Sequence, residues 1–197
     1  MFILILGLAI FMLTHSLSAF PKWHAAFIQY TGDKYHKRYL SAGAVIGLAL
    51  IVYGFGAYRA SGYIPVWDPP VWTRHVSATL MLFSFILLVA AFIPSWIKTK
   101  AKHPMLAAVK IWALSHLIAN GDLGSIILFG TFLAWAVVMR TSLKRRSPLL
   151  MLASVPEATE PTFGKNDALV IVIGVLSYAV FAVMLHKWLI GVSIFIR

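Results

Sequence analysis

Seven histidines and no cysteine set the chemistry open to this chain. Without a thiol there is no disulfide, no thiolate site for zinc or iron-sulfur, no c-type haem attachment and no cysteine nucleophile. Metal chemistry falls to histidine, carboxylate or a bound cofactor. The densest stretch is HPMLAAVKIWALSHLIANGD, His103 to Asp122, apolar enough to enter a bilayer yet carrying His103, Lys110, His116, Asn120 and Asp122. An ionisable side chain costs about 2.5 to 3.5 kcal/mol at the bilayer centre, so each is a candidate for function. The plainer role is a neutral histidine bridging two helices by hydrogen bonds. His15 in LTHSLS, His75 and His186 join the candidates, while His24 and His36, in a basic loop, read as solvated surface residues.

Helical spacing sorts these groups. Trp112, His116 and Asn120 are four apart and share one face, whereas His103 and Lys110 share another, and His103 and His116 lie roughly 20 Å apart along the axis. His116 therefore needs its partner from another helix. His15 is the best placed. Counting rise from opposite faces puts both in the middle half of the bilayer, with a vertical offset of about 10 Å. Two such imidazoles would clamp a haem iron axially, with Trp112 packing on the porphyrin, and b-type haem is the natural cofactor for a cysteine-free chain. His75, His103 and His186 stand as alternative ligands.

The elements that must position them follow from composition. Of 197 residues, 60% are hydrophobic and 12% charged, and the mean hydropathy is +0.85. That is a multispan membrane protein, read here as one integral domain over residues 1–197. Six segments suit a hydrocarbon core of about 30 Å: Phe2 to Phe20, Leu40 to Ala60, Trp72 to Ile97, Pro104 to Ala119, Leu123 to Met139 and Ala168 to Gly191. In lipid they must be helices, which predicts an all-α polytopic bundle of about six transmembrane helices. Residues 141–167, with KRRSP at one end and PEATEP inside, read as the one long linker before a final helix at 168–191. GAVIG, Gly43 to Gly47, reads as a small-residue packing motif.

The net charge of +11 is a matter of sidedness. Lys22, Lys34, Lys37, Arg38, Lys98, Lys100, Lys102, Arg140, Lys144, Arg145, Arg146 and Lys165 fall on one side of the six spans. Arg59, Arg74, Lys187 and Arg197 fall on the other. The positive-inside rule then puts both termini in the periplasm, and the basic loops against anionic membrane lipids rather than nucleic acid. Trp23, Trp67, Trp72, Trp96 and Trp188 sit near the interfaces; Trp112 does not.

The His103 to Asp122 run followed by LFGTFLAW, with LGLAIFMLTHS, YLSAGAVIGLALIVYGF and VWDPPVWTRH, resembles the NnrU family of bacterial inner-membrane proteins over about residues 1–140. The resemblance implies a place in the inner membrane and a link to denitrification and nitric oxide metabolism. The chain is also similar to the plant 15-cis-zeta-carotene isomerases, which hold haem b between histidines. Their HP and WxLAH elements match His103, Pro104, Trp112 and His116, and their first-span histidine matches His15. That implies His15 and His116 as ligands, Trp112 as a wall, and Asn120 as a hydrogen bond to the imidazole or a propionate. Lys110 would meet a propionate or snorkel toward lipid phosphate, Asp122 would be a polar cap, and His103 with Pro104 would start the helix.

Three functions remain open on these residues. One is a haem-b membrane protein acting as a redox-dependent isomerase-like enzyme or a sensor, with a small apolar ligand. Another is a non-catalytic factor for the assembly or supply of nitrite or nitric oxide reductase. The third is a membrane methyltransferase, since isoprenylcysteine carboxyl methyltransferases also carry an HP element. Those enzymes supply paired glutamates downstream, and here the glutamates are Glu157 and Glu160, in the linker.

Overall fold

In a computed structural model that describes residues 1–151 and 162–191, the regular structure of the described residues is helical, with one isolated bridge between Pro65 and Asp122. Glu157, Glu160 and Arg197 lie outside those residues. The helices are α1 (Phe2–Ser16), α2 (Pro21–Thr31), α3 (His36–Ala60), α4 (Trp72–Ala90), α5 (Trp96–Ala101), α6 (Pro104–Ala119), α7 (Leu123–Met151), α8 (Lys165–Val180) and α9 (His186–Ile190). A 3-10 turn at Leu17–Ala19 joins α1 to α2, and a π-helical turn at Phe181–Leu185 joins α8 to α9. Four helical stretches are long and apolar enough to cross a membrane: His36–Ala60, Trp72–Ala90, Leu123–Arg145 and Lys165–Ile190. A fifth span exists if α1 and α2, bent by 96°, count together, while α6 has 16 residues. Six spans by sequence thus become four to five by length, on the same apolar stretches.

Helix ends differ from the sequence reading for identifiable reasons. The first segment stops at Ser16 rather than Phe20, because Pro21 starts a new helix in its own first turn. The third stops at Ala90, ahead of Pro94, and Ser95 then caps α5 by accepting the Lys98 N–H at 3.2 Å. Lys98 also reaches back, its Nζ donating to the Ala91 carbonyl at 2.9 Å, where the α4 dipole favours a cation. Helix α7 runs past Met139 into the basic segment read as linker, where Arg140, Leu143, Lys144 and Arg145 are good helix formers.

Two compact units emerge, each described within itself. The first comprises Met1–Trp67 and Gly121–Arg146, the second Asp68–Asn120 and Ser147–Arg197. In the first, α1 packs antiparallel on α3 through glycines. A Cβ on Gly7 would lie 2.6 Å from the Ile51 amide nitrogen, and one on Gly47 would lie 2.8 Å from that of Phe11. Backbone meets backbone there, the close approach that small residues permit where lipid supplies no hydrophobic drive between helices. Both glycines of the GAVIG motif serve it, Gly43 facing Thr14. The Gly62 to Trp67 loop is pinned to the start of α7: Val66 and Trp67 donate to the Gly121 carbonyl at 2.8 and 3.0 Å, and Leu123 donates to that of Ile64 at 2.9 Å. Asp122 caps α7 by accepting from the Ser125 amide at 2.9 Å and hydroxyl at 2.6 Å, the polar cap expected of it.

The second unit packs α4 against α6 through polar groups and against α8 through Gly174, where a Cβ would lie 2.7 Å from the Ile86 Cα. The Ser77 and Ser115 hydroxyls are 2.7 Å apart, the Ser115 hydroxyl lies 3.0 Å from the Ser77 carbonyl, and Ser84 donates to the Ala108 carbonyl at 2.9 Å. At the base of α8 the buried carboxylate of Asp167 accepts the amides of Ile97 at 2.9 Å, Gly164 at 3.0 Å and Trp96 at 3.3 Å. Asn166 donates to the Pro94 carbonyl at 2.7 Å. The start of α8 is thereby fastened to the bend before α5.

Candidate functional site

His15 occupies the last turn of α1, and its local sequence decides how its ring is held. Phe11, one turn earlier, offers its carbonyl to His15 Nδ1 at 2.9 Å and stacks its ring on the imidazole with centres 4.0 Å apart. A carbonyl oxygen only accepts, so Nδ1 carries the proton and the lone pair of the neutral ring sits on Nε2. Trp135 of α7 meets the imidazole edge to face at 6.1 Å and donates its indole N–H to the Ser16 hydroxyl at 3.0 Å. Phe132 packs against Phe11 at 5.6 Å. The imidazole side chain is itself exposed.

His116 repeats the arrangement in the second unit. Its Nδ1 lies 2.9 Å from the carbonyl of Trp112, four residues earlier, and the Trp112 ring lies 5.4 Å from the imidazole. Again the proton is fixed on Nδ1 and Nε2 is left with its lone pair. Asn120 donates to the backbone carbonyl of His116 at 2.8 Å, ending α6. The imidazole is oriented by the Trp112 carbonyl, while Asn120, expected to bond the imidazole or a propionate, bonds the His116 main chain. His103 is the residue before α6 with Pro104 in its first turn, as expected. Lys110 is half-buried near the middle of α6.

The alternative ligands fare differently. His75 is exposed in the first turn of α4, and His186 follows the π-helical turn with its ring edge to face on Phe181 at 6.0 Å. His186 belongs to the same unit as His116; His15 does not. His36, expected at the solvated surface, is buried at the start of α3, its Nδ1 2.8 Å from the Asp33 carbonyl and its ring 6.0 Å from that of His24. An oriented imidazole is thus not by itself a ligand. The depth of His15 also changes: a helix ending at Ser16 puts it in the final turn rather than more than halfway along a span reaching Phe20.

Among the described residues no group of three or more histidine, cysteine or acidic side chains is arranged to hold a metal ion. A porphyrin supplies four nitrogens and asks the protein for one or two ligands, so single oriented histidines with aromatic neighbours fit haem better than a bare ion. Sequence reasoning missed Phe11 and Trp135 as neighbours of His15, and Phe132 as the ring against Phe11. Phe11 was legible as the residue four before His15; the other two stand in LFGTFLAW, with nothing local to tie them to α1.

A family model described as NnrU protein matches residues 3–194, nearly the whole chain. Neither a curated protein nor a solved structure matches it.

Proposed function

We propose, from the premise that the chain belongs to the NnrU family, that it is a haem-b-binding protein of the bacterial inner membrane, serving respiratory nitrogen oxide metabolism as an isomerase-like enzyme or a sensor. The observation that carries the reading is the repeated geometry at His15 and His116. Each ring is held through Nδ1 by the carbonyl four residues earlier, which selects the tautomer that would ligate iron through Nε2. Haem would supply one-electron redox chemistry and a ligand-responsive iron. The chain's own part is to orient the two imidazoles through the Phe11 and Trp112 carbonyls, and to flank them with Phe11, Trp135 and Trp112. In this reading Lys110 meets a propionate or lipid phosphate, and a small apolar ligand enters from the bilayer. The basic loops face the cytoplasm and both termini the periplasm.

The biological half is tested by deleting the gene and following nitrite and nitric oxide turnover under oxygen limitation. Turnover should be altered and be restored by the wild-type gene but not by His116→Ala. Unaltered turnover contradicts the nitrogen oxide role. Restoration by a haem-free His116→Ala protein would instead favour a non-catalytic assembly factor for the reductases.

A further inference from the structure

Between α1 and α3 the sequence predicts a polar, basic loop from Gln29 to Tyr39, and in the structure Pro21–Thr31 is a helix with three distinct faces. His24, Phe27, Ile28 and Thr31, spaced by three and four, are half-buried, and His24 meets His36 at the start of α3. Trp23, Ala26 and Tyr30 form a second stripe, with Trp23 71% and Tyr30 92% exposed. Lys22 and Gln29, seven apart, form a third, also exposed. No residue of α2 is fully buried. An aromatic flank beside a polar one on an open helix is the pattern of a helix lying in a membrane interface.

Its direction agrees. Helix α2 is bent by 96° from α1, and α1 runs antiparallel along α3, a membrane-crossing stretch, so α2 lies across their common axis. It does so at the level of the basic first turn of α3, where His24 meets His36. Four basic residues and a single acid, Asp33, lie between Lys22 and Arg38. Lys34 Nζ and the Arg38 guanidinium both sit 5.6 Å from the Tyr35 ring centre, which gathers their charge at the α2–α3 turn.

We propose that α2 is an interfacial helix that docks on anionic phospholipid, with Trp23 and Tyr30 seated at the boundary of head groups and acyl chains and Lys22, Lys34, Lys37 and Arg38 bound to lipid phosphates. Each cation adds attraction to an anionic leaflet, and the aromatic rings favour the interfacial depth. The proposal is independent of haem binding.

A chain without cysteine makes the test direct. Single substitutions A26C and Q29C in the full-length protein are labelled with an environment-sensitive fluorophore and reconstituted in nanodiscs of phosphatidylglycerol or phosphatidylcholine. With phosphatidylglycerol, the label at 26 should be quenched by head-group nitroxide lipid and shielded several-fold from acrylamide relative to the label at 29. Equal acrylamide access at both positions overturns the seated helix. In mixed discs the wild type should enrich phosphatidylglycerol around itself, and K34Q/K37Q/R38Q should lose most of that enrichment. A wild type indifferent to the two lipids, or a triple variant with undiminished enrichment, overturns the anionic docking.

Discussion

The two units hold their helices together in opposite ways. In the first, α1 and α3 touch through glycine, and nothing but shape joins them at Gly7 and Gly47. In the second, Ser77, Ser115 and Ser84 join α4 to α6, Asp167 ties the start of α8 to the start of α5, and Gly174 lets α8 close on Ile86 of α4. Lipid tails are as apolar as leucine, so burial of apolar surface does little to associate spans. Close backbone approach and interhelical hydrogen bonds are the two remedies: glycine contact joins α1 to α3 and α8 to α4, while serine hydroxyls join α4 to α6. The lesson is that the first unit should be intolerant of volume and the second of lost polarity.

The largest effect is expected from volume in the first unit. Gly7→Leu must push α1 off α3 and should cost about 3 kcal/mol, near the top of the overpacking range. That is a fall of roughly 6 to 12 °C in the detergent-solubilised Tm for a chain of this size. Gly56→Leu, on the same helix pair but with open space around it, should change stability by less than about 0.5 kcal/mol. If the two glycines respond alike, shape is not what joins α1 to α3.

Next comes polarity in the second unit. Asp167→Leu orphans the amides of Trp96, Ile97 and Gly164 and should cost about 2 to 3 kcal/mol, with Asp167→Asn costing less because its amide oxygen still accepts. Thermal melts of both variants check this, and a leucine variant as stable as wild type would show that the carboxylate holds nothing. The smallest effect belongs to the serine pair. A double-mutant cycle on Ser77→Ala and Ser115→Ala should return a coupling of about 0.6 kcal/mol, the average for hydrogen bonds between membrane helices. A coupling near zero would leave α4 and α6 joined by packing alone, like α1 and α3.

What the sequence showed and what it hid follow the same physics. Apolar runs gave the helices, and the HP dipeptide gave the start of α6 to the residue, because proline at a first helical position is a local rule. The break at Ser16 was hidden because LSAF is apolar enough to continue a span, and α2 because PKWHAAFIQYT is too polar for a span and too apolar for a loop. Of the site, His15 and His116 were legible as costly groups within apolar stretches, paired with each other by helical rise. Their orientation rests on main-chain carbonyls, which residue types do not reveal. The contacts of His15 with Trp135 and Phe11 with Phe132 join residues more than a hundred positions apart, beyond any spacing rule.

The proposal most open to test is that His15 and His116, oriented alike, are haem ligands. The most direct measurement is the absorption spectrum of the reduced, purified full-length protein, for the wild type and for His15→Ala, His116→Ala and His36→Ala. Bis-histidine ligation should give the sharp visible bands of six-coordinate low-spin haem b, each of the first two substitutions should abolish haem or turn it high-spin, and His36→Ala should do neither, despite its own oriented ring. A wild-type protein with no haem absorption, or a low-spin spectrum that survives His15→Ala or His116→Ala, would contradict the assignment.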